Sequence, residues 1–301
     1  ERTAAGAYQL QHTSEFVFKP WAVDDTDGDG LLEILGSTGD KTFLIESLTR
    51  NGYPERLIWE SPFLSAGQIS DLDGDGRKEI IGADSNNDAI LIFENRGNDA
   101  YEEIVRLKNE TVGTNVFGEQ LGVGDFDGDG RFELLVGDSE GELCIYEAAG
   151  NDQLVETWRL QLDGTDAHQH VVGDLTGDGI PEFVVGSGVS KEALPALQPS
   201  WKFTVFSTAG DNRYVPLWSQ EIVSFRLRGN SVAIGNLDED EQNELVILTN
   251  PSVHVFQHDG GVFTPVWHHD VWETPRLFLA NLDGNEFQEM YFNSRENLLA
   301  F

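Results

Sequence analysis

Cysteine is nearly absent from this chain: Cys144 is the only one in 301 residues. No internal disulfide can form, so life in an oxidising compartment must rest on something other than sulfur bridges. Basic side chains are also scarce. Nineteen Lys and Arg stand against 53 Asp and Glu, a formal net charge of −34. That sign excludes nucleic-acid binding by phosphate neutralisation. No apolar run approaches the ~18 residues of a membrane span, so no membrane insertion is expected. Methionine occurs once, at Met290, and the chain opens at Glu1, as expected of a processed or trimmed product whose targeting segment is gone. Convincing helical periodicity is missing throughout. The 39% of hydrophobic residues is enough for a real core.

What the chain has in abundance is one repeated segment. DTDGDGLLEI, DLDGDGRKEI, DFDGDGRFEL, DLTGDGIPEF, NLDEDEQNEL and NLDGNEFQEM begin at Asp25, Asp71, Asp125, Asp174, Asn236 and Asn281. Successive starts lie 46, 54, 49, 62 and 45 residues apart, about the length of a four-stranded propeller blade. Each segment lies between short apolar runs such as QLGVG and LLVG, and two further strand-like runs follow. The expected fold class is therefore all-β: a single six-bladed β-propeller over residues 1–301, with four strands per blade. The stretches AYQLQ and FVFKPWAV precede the first loop, and MYFN and LLAF follow the last. An N-terminal strand, AYQLQ, is expected to complete the final blade and so remove exposed edges.

Acids at every second position let a short loop wrap a hard cation, and a glycine beside them permits the sharp turn. Ca²⁺ is the expected ion. The loops are 25–33, 71–79, 125–133, 174–182, 236–244 and 281–289. Side-chain ligands at positions one, three, five and nine are Asp25, Asp27, Asp29 and Glu33; Asp71, Asp73, Asp75 and Glu79; and Asp125, Asp127, Asp129 and Glu133. The carbonyls of Leu31, Arg77 and Arg131 supply the seventh position. The fourth loop offers Asp174, Thr176, Asp178, the Ile180 carbonyl and Glu182, with a hydroxyl in place of one charge. Four sites are thus expected, and up to six. The fifth set, Asn236, Asp238, Asp240, Gln242 and Glu244, and the sixth, Asn281, Asp283, Asn285, Phe287 and Glu289, are weaker. They carry fewer charges and have Glu241 and Glu286 at the turn position that glycine should hold. An EF-hand is eliminated, because its twelfth position must be a carboxylate and here it is Gly36, Gly82, Val136, Val185, Ile247 or Phe292. Ordinary solvated turns are the alternative reading, but they do not need acids at all four positions together.

The stretch VFGEQLGVGDFDGDGRFELLVGDSEG, residues 116–141, resembles the FG-GAP or VCBS repeat of integrin α-subunit propellers and many secreted microbial proteins. The resemblance extends over six copies in register. It implies a calcium-stabilised module at the cell surface, outside the cell or in the periplasm. It also implies a protein or glycan partner on the face opposite the calcium loops. That face would carry the segments that connect the fourth strand of one blade to the first of the next, around Phe63 and at 115–119, 165–170, 226–230 and 272–276, with Phe117, His168, Arg228, Trp272 and Arg276 as candidate contacts, and a long insertion at 187–201. No GxSxG, HExxH or P-loop occurs. A non-catalytic binding and adhesion module is the leading expectation; a polysaccharide lyase or hydrolase and a structural module of a larger surface protein are the alternatives. His168 and His170 supply two metal-type ligands, which is too few for a site. Cys144 alternates with apolar neighbours, as a packed thiol would. Trp158, Trp218 and Trp267 recur near repeat ends, as blade packing would.

Overall fold

The computed structural model describes residues 10, 12–39, 41–62, 64–84, 86–110, 116, 121–189, 200–224, 231–240, 242–271, 277–281, 287–294 and 297–301. Every regular element in them is a strand. Two compact units, Glu1–Val112 and Gly113–Phe301, carry the sheets. In the first unit, β1 (Lys19–Asp24), β2 (Glu33–Thr38), β3 (Lys41–Ser47) and β4 (Pro54–Pro62) form one antiparallel sheet. A second consists of β5 (Leu64–Ser70), β6 (Glu79–Asp84), β7 (Ala89–Gly97) and β8 (Ala100–Lys108).

The second unit repeats the plan. Its sheets are β9 (Gly122–Gly124), β10 (Glu133–Gly137), β11 (Glu142–Gly150) and β12 (Gln153–Gln161); β13 (Thr165–Gly173), β14 (Glu182–Gly188), β15 (Ser200–Thr208) and β16 (Tyr214–Val223); and β17 (Ser231–Gly235), β18 (Glu244–Leu248), β19 (Ser252–Asp259) and β20 (Val262–Asp270). The last has three strands among the described residues: β21 (Leu277–Ala280), β22 (Glu289–Ser294) and β23 (Asn297–Ala300). Six blades of consecutive antiparallel strands are thus observed, and each repeated acidic segment joins the first strand of its blade to the second. The N-terminal run expected to complete the sixth blade falls outside the described residues apart from Leu10.

Second strands explain why the apolar runs after each loop are continuous rather than alternating. β6, β10, β14 and β18 are buried at every residue, as strands covered on both faces must be. Cores form where one blade packs on the next. Leu35, Leu44, Leu64, Ile80 and Leu91 share a cluster in the first unit. In the second, Phe126, Leu135, Ile145, Phe183 and Phe206 form another.

The fourth strands carry a device that follows from a bulge. In each of the first five blades one extra residue, Ile58, Ile104, Thr157, Leu217 or Val266, interrupts the register with the third strand. A bulge re-aims the residue beside it. In four blades that residue is tryptophan. Trp59 lies 5.1 Å from Phe93, Trp158 5.6 Å from Tyr214, Trp218 4.9 Å from Phe256 and Trp267 5.1 Å from Phe301, between ring centres. Each contact joins one blade to the next, the packing role expected for Trp158, Trp218 and Trp267.

Two boundaries differ from expectation. Residues 165–170, expected as a connecting segment, belong to β13, whose register slips between Thr165 and Gln169. The insertion expected at 187–201 is narrower, because Ser187 and Gly188 pair with Lys202 and Trp201. Trp201 is fully buried.

Candidate metal centres

The loops are built by their own carboxylates. In the third, Asp125 Oδ1 accepts the Gly128 N–H at 2.7 Å and Oδ2 the Gly130 N–H at 2.9 Å. Asp127 accepts from the Asp129 N–H at 3.2 Å, and Asp129 from the Arg131 N–H at 2.8 Å. Such a tight wrap needs left-handed backbone at positions four and six, where Gly128 and Gly130 have φ of 80° and 90°. The first, second and fourth loops place glycines in the same conformation. In the fifth, Glu239 at position four is not left-handed, and Asn236 accepts instead from the Asp238 N–H at 3.2 Å. The lost wrap extends the expected weakness beyond Glu241, which lies outside the described residues.

Position nine closes each loop from the start of the second strand. One oxygen, Oε2, of Glu33, Glu79, Glu133, Glu182 and Glu244 accepts the N–H of the position-two residue at 2.5 to 2.9 Å. Position-two side chains Leu72, Phe126 and Leu175 are buried, which pins that N–H to the core. The other oxygen, Oε1, of Glu33, Glu79, Glu133 and Glu244 is buried with no hydrogen-bond partner. In the second and third loops the closing glutamate and all three aspartates each offer an oxygen within 4.8 Å of the others. A carboxylate oxygen shut away from water beside further acids is costly unless a cation meets it. Burial accordingly pushes Glu79 and Glu133 up to about 8 and Glu33 and Glu244 up to about 7, with neighbouring aspartates adding repulsion. The all-oxygen donor set and the orphaned buried oxygens fit a hard divalent ion.

The fourth loop solves the same problem differently. Glu182 Oε1 accepts from the Thr176 hydroxyl at 3.1 Å and the Ser207 hydroxyl at 3.3 Å. Both glutamate oxygens are therefore satisfied by the protein itself. Burial still raises Glu182.

The structure adds a layer that linear reading missed. Directly across the ladder from Glu33, Glu79 and Glu133 stand Glu46, Glu94 and Glu147, all buried. Arginines neutralise them. Arg77 and Arg131, expected to matter only through their carbonyls, also reach Glu94 at 2.9 Å and Glu147 at 2.5 Å with their guanidinium groups. Glu46 pairs with Arg56 of β4. The signal was an acid in the third-strand run of each of the first three blades, but only the register shows what it faces.

Of the sixth loop, Asp283 and Asn285 lie outside the described residues, as do Phe117, Arg228, Trp272 and Arg276. His168 lies in β13. Cys144 lies in β11, where burial pushes its thiol up to about 12, so it is an unreactive group at neutral pH. His269 stacks on Trp267 with ring centres 5.9 Å apart. Among the described residues there is no helix long and apolar enough to cross a membrane.

An FG-GAP-like repeat model matches residues 71–136 and 125–185. No protein with a curated description matches the chain. Among solved structures, a functionally unknown protein from Desulfotomaculum acetoxidans DSM 771 superposes with a TM-score of 0.55 at 12% identity, over 95% of this chain and 85% of that one. The Nup133 β-propeller domain of Vanderwaltozyma polyspora also gives 0.55, at 11% identity, over 94% of this chain and 82% of that one. At such identities the likeness shows the fold alone. Repeat match and blade architecture agree: residues 71–185 carry FG-GAP-like repeats, and the sheets are four-stranded blades of the β-propeller kind.

Proposed function

We propose that the protein is a calcium-stabilised, non-catalytic binding module that works outside the cytoplasm and recognises a protein or glycan ligand. The observation that carries the calcium reading is the buried, donorless Oε1 of Glu33, Glu79 and Glu133, each closing a loop of three aspartates. Calcium would supply the missing partner and tie the first strand of the blade to the second. Millimolar extracellular calcium suits such short, partly open loops. The FG-GAP fold supports a binding or structural module in general, and the extracellular setting is where this repeat usually occurs.

For the ligand we favour the face opposite the calcium loops, since those loops repeat one chemistry for a structural ion. Arg228 and Trp272 are the best anchors there, being of the residue types that dominate binding hot spots. The test is a glycan and protein array in millimolar Ca²⁺, followed by Arg228→Ala, Trp272→Ala and deletion of residues 191–199. Binding should weaken while the melt and calcium content stay unchanged. A ligand whose binding survives all three changes but is lost on altering the calcium loops would overturn this placement.

A further inference from the structure

The first blade differs from the third in what surrounds the buried acid beside its loop. In both, the third-position aspartate accepts a backbone N–H from the hairpin turn of the following blade. Asp127 takes it from Asn212 at 2.7 Å, and Asp27 from Asp99 at 3.0 Å. Asn212 and Asp99 share a left-handed conformation, with φ of 53° and 57°, so they are equivalent positions. In the third blade the Asn212 amide donates to Glu147 Oε2 at 2.5 Å, while Arg131 holds Oε1. Both oxygens of that buried acid are used.

In the first blade a carboxylate replaces the amide. Arg56 bridges Glu46 Oε2 and Asp99 Oδ2, the latter at 3.1 Å, and leaves the other oxygens. Glu46 Oε1 and Asp99 Oδ1 are both buried without a hydrogen-bond partner, and the Glu46 side chain is only 1% exposed. One oxygen each of Asp27, Glu46 and Asp99 lies within 4.8 Å of the others, and so does one each of Asp29, Glu33 and Glu46. Two ligand sets thus meet at Glu46. A single ion in the loop serves the second set and leaves Asp99 unmatched.

We propose that the first blade holds a second divalent cation, ligated by Asp27, Glu46 and Asp99 beside the loop ion, with Glu46 between the two. The donors are all carboxylate oxygen, so the ion is a hard one, and calcium is the probe. The inference rests on the reading that the loops take calcium, and the experiment separates the two. Native mass spectrometry in Ca²⁺ counts ions on the wild type, Asp125→Asn, Asp99→Asn and Glu46→Gln. Asp99→Asn recreates the arrangement that Asn212 already supports, so folding is not at stake, and Glu46→Gln keeps an acceptor for Arg56. Asp125→Asn reports on the third loop alone. Loss of one ion from each variant supports both readings. Loss from Asp125→Asn with an unchanged count in Asp99→Asn and Glu46→Gln overturns the second site only. A wild type that binds no calcium overturns both.

Discussion

Replacing Glu133 by glutamine should change the sign of its effect when calcium is added. Glutamine keeps an oxygen for the Phe126 N–H and turns the orphaned Oε1 into a donor facing Asp125, Asp127 and Asp129. In chelator this removes a buried charge. Burial raises the Glu133 carboxyl from 4.5 to about 8, and each unit is worth ~1.4 kcal/mol, so ionising it in the folded, cation-free chain costs on the order of a few kcal/mol. A raised acid supports the fold below its unfolded value and loses that support as pH climbs through its folded one. In EDTA the wild type should therefore weaken between pH 4.5 and 8, and Glu133→Gln should weaken less and melt higher at pH 8. Calcium reverses the order. A site at 100-fold excess over its Kd adds about 2.7 kcal/mol, which at ~2 °C per kcal/mol is roughly 5 °C that the variant forfeits. Differential scanning calorimetry of both proteins, with EDTA and with Ca²⁺, reads the crossing. The same ranking in both buffers would refute the reasoning.

Thr176→Val should cost about 1–3 kcal/mol of stability in EDTA and lower the melting midpoint accordingly, because the buried Glu182 loses a donor at 3.1 Å; thermal melts at pH 7 check it. Gly130→Ala should cost about 1–2 kcal/mol with or without calcium, since φ is 90° and a new Cβ would meet nothing within 4 Å. Urea titration reads that cost, and a neutral result would show that the turn does not constrain the loop. Trp158→Ala should cost ~3 kcal/mol by denaturant unfolding, as it loses Phe206, Tyr214 and Phe183. Calcium stoichiometry should fall by one in Asp127→Ala and by less in Asn285→Ala, because the third loop offers four carboxylates and the sixth two.

The blades were legible because each loop announces its own place in the strand order: an apolar strand must follow the position-nine acid, so strand count and register follow. The closing role of Glu133 was readable for the same reason. Partners set by the ladder were not. Glu147 lies 14 residues from Glu133 and becomes its neighbour only through pairing of β10 with β11. Ser207 reaches Glu182 across 25 residues, so a hydroxyl that quiets the fourth loop carried no local signal. The packing role of Trp158 follows from its place near the repeat end, but the bulge at Thr157 that aims it depends on the third-strand register. Residues 165–170 are rich in polar groups that break the strand pattern, yet an irregular ladder still holds them in β13.

The most direct test of a calcium-stabilised fold is the melting midpoint of one protein preparation in EDTA and in millimolar Ca²⁺, followed by circular dichroism. The account predicts a β-rich spectrum in calcium and a midpoint that falls by at least several degrees on chelation and returns when calcium is restored. A midpoint that is the same in both buffers would contradict it.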